Sequence, residues 1–318
     1  MTVSDSATMV YRKLGRTDLR VSILGFGAST LGNVYGMMGA AEVKRTVHAA
    51  VEGGINFFDV SPYYGLTLAE ERLGPSLFGV RDQVVLATKC GRYGVDSFDF
   101  SARRVTASID ESLSRLKTDH VDLLQAHDVE FGDMQQIIHE TIPAMRKIQQ
   151  SGKARYIGIS GYPPRTLVRI AEAAPVDTIL NYCRYNLLAT DMDDVLTPFA
   201  EKQGIGLINA SGLHMGVLTE RGAPEWHPAP PEVHAAGRVA TEFCRLRGLD
   251  VASVALRFCF DHPTVASTLV GMSTVEEVQK NLQLLSRATD PALLGELRSL
   301  MGPVLNRIWP SGRPENRA

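Results

Sequence analysis

An aspartate, a tyrosine, a lysine and a histidine stand at or just past the ends of short apolar runs in this 318-residue chain: Asp59, Tyr64, Lys89 and His127. Together they make a proton-transfer set. A phenol with an ordinary pKa of about 10 is a poor acid or base at neutral pH, and a nearby ammonium lowers that value by favouring the phenolate. Lys89 is the candidate for that role beside Tyr64. A buried lysine tends to lose its proton unless an anion adjoins it, and Asp59 is the candidate anion. His127 can hydrogen-bond the reacting oxygen and orient it. Taken singly, each residue also has an ordinary structural reading: a loop cap, a half-buried aromatic, a surface cation, a core histidine. Their common placement at strand ends favours chemistry.

Such placement needs a scaffold. Runs rich in Val, Ile, Leu and Phe at 23–28, 57–61, 84–90, 121–127, 154–160, 178–183, 206–211 and 267–270 read as strands. Helical periodicity covers 41–52, 101–116, 134–150, 191–202 and 274–285, with Ser101 as a cap and Thr274 with Glu277 as a capping box. Nearly continuous apolar strands alternating with helices indicate a parallel sheet buried on both faces. Eight such units without a long linker predict an α/β fold of the (β/α)8 barrel type, one domain over residues 1–318. Residues 9–22, with a polar turn at Gly15 to Asp18, predict a β-hairpin plugging the bottom of that barrel. The stretch 212–266, Pro-rich at 222–231, is expected to be a long loop at the C-terminal face, where barrels place substrate chemistry, and an extra helix is expected near the C-terminus.

Composition narrows the ligand. Thirty-three Lys and Arg against 35 Asp and Glu give a net charge of −2, so no overall basic field recruits nucleic acid or anionic lipid. A hydrophobic share of 44% with 21% charged residues is an ordinary globular balance. No apolar run approaches the roughly 20 residues that span a bilayer. Residues 1–9 lack the basic patch and apolar core of a secretory signal. Cys90, Cys183, Cys244 and Cys259 have neither disulfide-framework nor metal-ligand spacing, so no metal is expected and a reducing cytoplasm is the default compartment.

The segments Asn56 to Gly65 (NFFDVSPYYG), Ala87 to Cys90 (ATKC), Val121 to His127 (VDLLQAH), Gly158 to Ser160 and Val270 to Asn281 resemble the aldo-keto reductases over nearly the whole chain. The resemblance implies that Asp59, Tyr64, Lys89 and His127 are the catalytic tetrad, with Tyr64 as acid/base and a nicotinamide cofactor as hydride carrier. Segments around Phe26, Thr88 to Tyr93, Phe98 to Ser101, His127 to Gly132, Pro224 to Ala229 and Trp309 to Gly312 resemble the branch that oxidises C1 of free aldoses of the L-galactose or L-fucose type to aldonolactones. The cofactor is then expected against Gly27, Ala28, Ser29 and Asp59, against Ser160, Asn181 and Tyr182, against Ser211, Gly212, Leu213 and Met215, and against Gly271, Ser273, Glu277 and Asn281. Gly25 to Thr30 is only two thirds of a GxGxxG pattern, so Gly27 is read as a close backbone approach rather than a Rossmann turn.

Glu277 stands where NADP-using members carry a cation, and a carboxylate repels a 2′-phosphate, which predicts NAD over NADP; the same residue also fits a capping box, and Lys280 lies nearby. Family members place Asn after the fifth-strand Ser, Gln in the sixth strand and a stacking Tyr in the seventh, where this chain has Gly161, Tyr182 and Ala210. Sugars need aromatic platforms and convergent polar groups, so Tyr35, Tyr93, Asp128, Trp226 and Trp309 join Tyr64 and His127 as the expected sugar pocket. The competing functions are an NADPH-dependent carbonyl reductase and a non-catalytic redox-sensing subunit.

Overall fold

The structure, a computed structural model, describes residues 9–317. The reading that no signal segment occupies residues 1–9 falls almost wholly outside them. Eight parallel strands, β3 (Leu24–Gly27), β4 (Phe57–Asp59), β5 (Val85–Cys90), β6 (Val121–Ala126), β7 (Ala154–Gly161), β8 (Thr178–Tyr182), β9 (Gly206–Ala210) and β10 (Ser267–Val270), close into a barrel in which β10 pairs with β3. Alternation sends Leu24, Phe26, Leu86, Leu124, Ile157, Ile159, Ile179 and Leu207 outward into a continuous apolar layer under the helices.

Before the barrel, β1 (Tyr11–Lys13) and β2 (Arg20–Ser22) pair antiparallel, as the turn residues require. Leu14, Leu19 and Val21 pack with the inward-facing Phe57, Ala87, Leu123, Leu180 and Ile208, so the hairpin closes the barrel bottom with apolar side chains. Gly15 sits at φ 58°, and a Cβ there would lie 2.2 Å from the Gly206 nitrogen; only glycine lets the turn press so closely on β9. Arg12 donates to the carbonyls of Phe260, His262 and Val265, joining the hairpin to the segment that leads into β10.

Helices α1 (Ala40–Glu52), α2 (Leu68–Ser76), α3 (Ala102–Leu116), α4 (Ile142–Gln150), α5 (Pro164–Ala173) and α6 (Met192–Gln203) cover the barrel. α3 starts on Ser101, whose hydroxyl accepts the Arg104 N–H. The gap between β9 and β10 corrects the sequence reading. Only its first part is a loop; α7 (Pro231–Arg245) and α8 (Val251–Phe260) fill the rest. α7 begins at the last residue of the Pro-rich run, because proline's fixed φ suits the first helical turn while barring an earlier start. α9 (Val275–Gln283) follows β10, and the expected extra helix is α10 (Pro291–Leu300).

Candidate active site

Inward parity at the C-terminal ends of the strands brings the sequence-predicted residues to one place. On β4 the inward residue is Asp59, on β5 Lys89, just past β6 His127, on β7 Ser160 and on β8 Tyr182. Tyr64 comes from the turn after β4. A Cβ on Gly32 would lie 2.6 Å from the Tyr64 carbonyl carbon, so the loop after β3 presses this turn down onto the mouth.

The Lys89 ammonium is almost wholly buried and ion-paired with Asp59 Oδ1. It also donates to the Val60 carbonyl at 3.0 Å and lies 3.4 Å from the Tyr64 hydroxyl. Gln125 Nε2 donates to the second Asp59 oxygen at 2.8 Å. Both carboxylate oxygens are therefore engaged, as a buried charge requires. His127 stands perpendicular to Tyr64, ring centroids 5.8 Å apart. Its Nδ1 is 3.0 Å from Ser61 Oγ, which also accepts the Tyr63 N–H. Assigning the Ser61 proton to Nδ1 leaves the imidazole hydrogen on Nε2, facing Asp128 Oδ2 at 3.6 Å.

Electrostatics amend one expectation. Burial, then the carboxylates of Asp59 and Asp128, raise the Tyr64 phenol well above its ordinary range. This direction differs from the sequence reading of a phenolate held ready by Lys89: burial and the two carboxylates favour the protonated phenol in the free protein, with Arg92 opposing them. Burial, with Lys89 and Arg92 nearby, pushes His127 well below its usual value, so the imidazole is neutral.

Several contributors were not anticipated. Arg92 forms a 2.5 Å ion pair with Asp128 and lies 3.9 Å over the Tyr63 ring. Asp128 itself is left-handed at φ 52°, with its N–H bonded to Ser160 Oγ at 3.2 Å. Fully buried Glu130 accepts from the Tyr162 N–H and the Tyr182 and Ser311 hydroxyls, and burial raises its carboxyl to about 8. Arg92 and Glu130 carried no signal in the sequence, whereas Asp128, Ser160 and Tyr182 were among its candidates.

The expected cofactor residues divide. Gly27 lies directly opposite Asp59 in register, where a Cβ would meet only the Val270–Gly271 backbone at 3.4–3.5 Å, and a Cβ on Gly271 would lie 3.0 Å from the Thr30 side chain. Ser29 is half-buried, while the Ala28 side chain is buried in the outer apolar layer. Ser211, His214 and Met215 are left-handed, so the loop after β9 that also holds Gly212 and Leu213 turns sharply at the rim. Asn181 is corrected: its parity is outward, and its amide donates to the Gly161 and Tyr162 carbonyls, bracing the β7–α5 loop. Tyr182 faces inward. Glu277 Oε2 accepts the Ser273 N–H while Thr274 Oγ1 accepts the Glu277 N–H, so the capping box forms, and Lys280 is paired with Asp250 at 2.8 Å. Asn281 is buried on α9.

The expected sugar residues divide as well. Tyr35 and exposed Trp226 meet with ring centroids 5.9 Å apart, and Tyr35 lies within electrostatic reach of Tyr64. Tyr93 is corrected: Arg104 of α3 covers its ring at 4.1 Å, and its hydroxyl accepts the Gly91 N–H. Trp309 is buried and stacked on Tyr162, ring centroids 4.6 Å apart, and Tyr162 in turn meets Tyr182 at 5.5 Å. Aromatic composition suggests platforms, but loop course decides where they point.

The fold has counterparts among known proteins. The model of the Aldo/keto reductase family matches residues 23–301. The chain is 46% identical to L-galactose dehydrogenase of Arabidopsis thaliana, covering 96% of this chain and 98% of that protein. It is 29% identical to D-threo-aldose 1-dehydrogenase of a Pseudomonas species, covering 88% and 94%. Among solved structures, an aldo-keto reductase from Bacillus halodurans in its holo form superposes with a TM-score of 0.79 at 27% identity, covering 98% of this chain and all of that one.

Proposed function

The chain belongs to the aldo/keto reductase family of oxidoreductases, and from that premise we propose that it oxidises C1 of a free aldose of the L-galactose or L-fucose type to the aldonolactone, using NAD in preference to NADP. The observation carrying this reading is the convergence of the Tyr64 hydroxyl, the Lys89 ammonium and the His127 imidazole beside the buried Asp128 carboxylate. A nicotinamide, when bound, accepts the hydride. Gly27, opposite Asp59, and inward Tyr182 would flank it.

His127, neutral and carrying its hydrogen on Nε2, donates to the C1 oxygen and fixes its position. Tyr64 takes the C1 hydroxyl proton as general base once its own proton has passed to solvent. Since burial holds the free phenol protonated, oxidation must quicken as pH rises, whereas carbonyl reduction uses the proton already present. Asp128 accepts from a neighbouring sugar hydroxyl, a partner that a simple aldehyde lacks, and Tyr35 with Trp226 supplies an aromatic wall.

Two features support NAD. The first turn of α9 carries Glu276 and Glu277, and Glu277 already occupies the Ser273 N–H that an added phosphate would seek. Lys280, the nearby cation, is engaged by Asp250. Reduction of a carbonyl by NADPH is the second reading, favoured by the protonated Tyr64 alone. Comparing kcat/KM for the two cofactors across a panel of L- and D-aldoses tests the proposal. Preference for NAD with L-galactose or L-fucose is expected, and preference for NADP, or activity confined to simple aldehydes, would overturn it.

A further inference from the structure

Past β5 the chain folds back on itself. Gly91 takes φ 96°, and a Cβ there would lie 2.3 Å from the Phe100 ring, so only glycine lets the strand end in this turn. The Tyr93 N–H then donates to the Ser97 carbonyl at 2.8 Å, and Arg92 pairs with Phe98 as in a short hairpin. This loop holds Arg92 in one place. Its guanidinium lies 3.9 Å from the centre of the Tyr63 ring and 5.1 Å from that of Phe98, which is itself stacked on Phe131. Nε and Nη2 are directed at the Gly94 and Val95 carbonyls, and Nη1 is left for Asp128 Oδ2.

Asp128 is fixed from its other side as well. The bond from its N–H to Ser160 Oγ holds the left-handed backbone, and the residue is only 4% exposed. Burial pushes this carboxyl up, and Arg92 first, then Lys89, oppose the rise. Among the described residues nothing donates to Oδ1, yet it is not one of the polar atoms sealed from the surface, and the same holds for His127 Nε2. Both groups therefore open on the mouth side by side, a donor nitrogen 3.6 Å from an acceptor carboxylate.

Such a pair suits two oxygens on adjacent carbons. His127 meets the oxygen on C1, and an ionised carboxylate can only accept, so whatever faces Asp128 must carry a hydrogen. Of the two atoms flanking C1 in a pyranose, the ring oxygen has none and C2 bears the hydroxyl. We propose that Asp128 is the specificity-determining residue that requires a hydrogen-bond donor on C2 of the substrate, with Arg92 as the positioning residue that holds it there. This deepens the reading of the mouth as an aldose site and rests on it for the placing of C1.

The parental protein supplies the first test, with no variant that could misfold. Oxidation of L-galactose is compared with that of 2-deoxy-L-galactose at saturating cofactor. An electron-withdrawing hydroxyl on C2 slows hydride loss from C1 by its own chemistry, so a preference for L-galactose comes from the site. Loss of a hydrogen bond to a charged group should lower kcat/KM for the 2-deoxy sugar by about 10- to 100-fold. Asp128→Ala and Arg92→Leu should each bring the two sugars near parity, whereas Arg92→Lys, which keeps the cation but loses the planar fork, should retain part of the preference. A ratio of two substrates on the same molecules is unmoved by the folded fraction. If neither L-galactose nor L-fucose is oxidised, the reaction reading fails by itself, and carbonyl reduction decides the present one. Preference for lactaldehyde over propanal should then shrink about 10- to 100-fold in Asp128→Ala. Equal kcat/KM for L-galactose and its 2-deoxy analogue, a preference unaltered by Asp128→Ala or Arg92→Leu, or a reductive margin that does not shrink would each overturn the proposal.

Discussion

The two ends of this barrel are built from opposite materials. At the bottom, Leu14, Leu19 and Val21 of the hairpin meet Phe57, Ala87 and Leu123 in an apolar plug. At the mouth, in the next layers up the same strands, Asp59, Lys89, Gln125 and His127 are just as buried. The bottom gains stability from every contact it makes. Desolvation at the mouth costs stability and is offset only while each charge keeps its partner. One set of strands therefore carries a stability end and a chemistry end, and substitutions at the two should be separable.

The sharpest separation is expected at Tyr64. Tyr64→Phe should lower kcat for aldose oxidation by about 10²- to 10⁴-fold, with the thermal midpoint and NAD affinity nearly unchanged; initial rates beside a melting curve check it. Lys89→Met should damage both properties, since it leaves Asp59 buried without its cation, a loss of about 3–5 kcal/mol by denaturant titration. Replacing Asp59 and Lys89 together by apolar residues should restore much of that stability but no activity. At the other end, Leu14→Ala should cost about 2–5 kcal/mol, while kcat per folded molecule stays at the parental value.

The smallest effect belongs to Glu130, whose carboxyl titrates at about 8 instead of 4.5. An acid whose folded pKa is raised binds its proton more tightly in the folded state. Stability is therefore fullest below the unfolded value, falls as pH rises from about 4.5 to about 8 and is level above that. Glu130→Gln should leave the thermal midpoint alone near pH 4 and raise it near pH 8.5 by about 1–3 kcal/mol equivalent. A gain that is flat across this range would mean that the carboxyl is ionised throughout.

Much of this was legible in the chain because parallel strands covered on both faces must be apolar nearly throughout, so Val121 to Ala126 and its counterparts stand out. Polar residues at strand ends stand out for the same reason, which is how Asp59, Lys89 and His127 were found. What escaped depends on directions that composition does not encode. One step of parity separates outward Asn181 from inward Tyr182, and an unmarked loop carries Arg92 back to Asp128. Gln125 is hidden within an apolar strand. Tyr64 keeps its proton because burial and two carboxylates act together, a sum that no spacing reveals.

Arg12 carries a consequence for how the molecule is made. Its guanidinium reaches carbonyls up to 253 residues further along the chain, at the entrance to the last strand. The hairpin and the open edge of β3 both precede β10, so their contacts with it and with the segment leading into it form only after β10 has been made. Until then Leu14 and Leu19 have no completed barrel to fill, so ring closure is a late, long-range event. Before that step the sheet has open edges, the form most exposed to pairing with another chain.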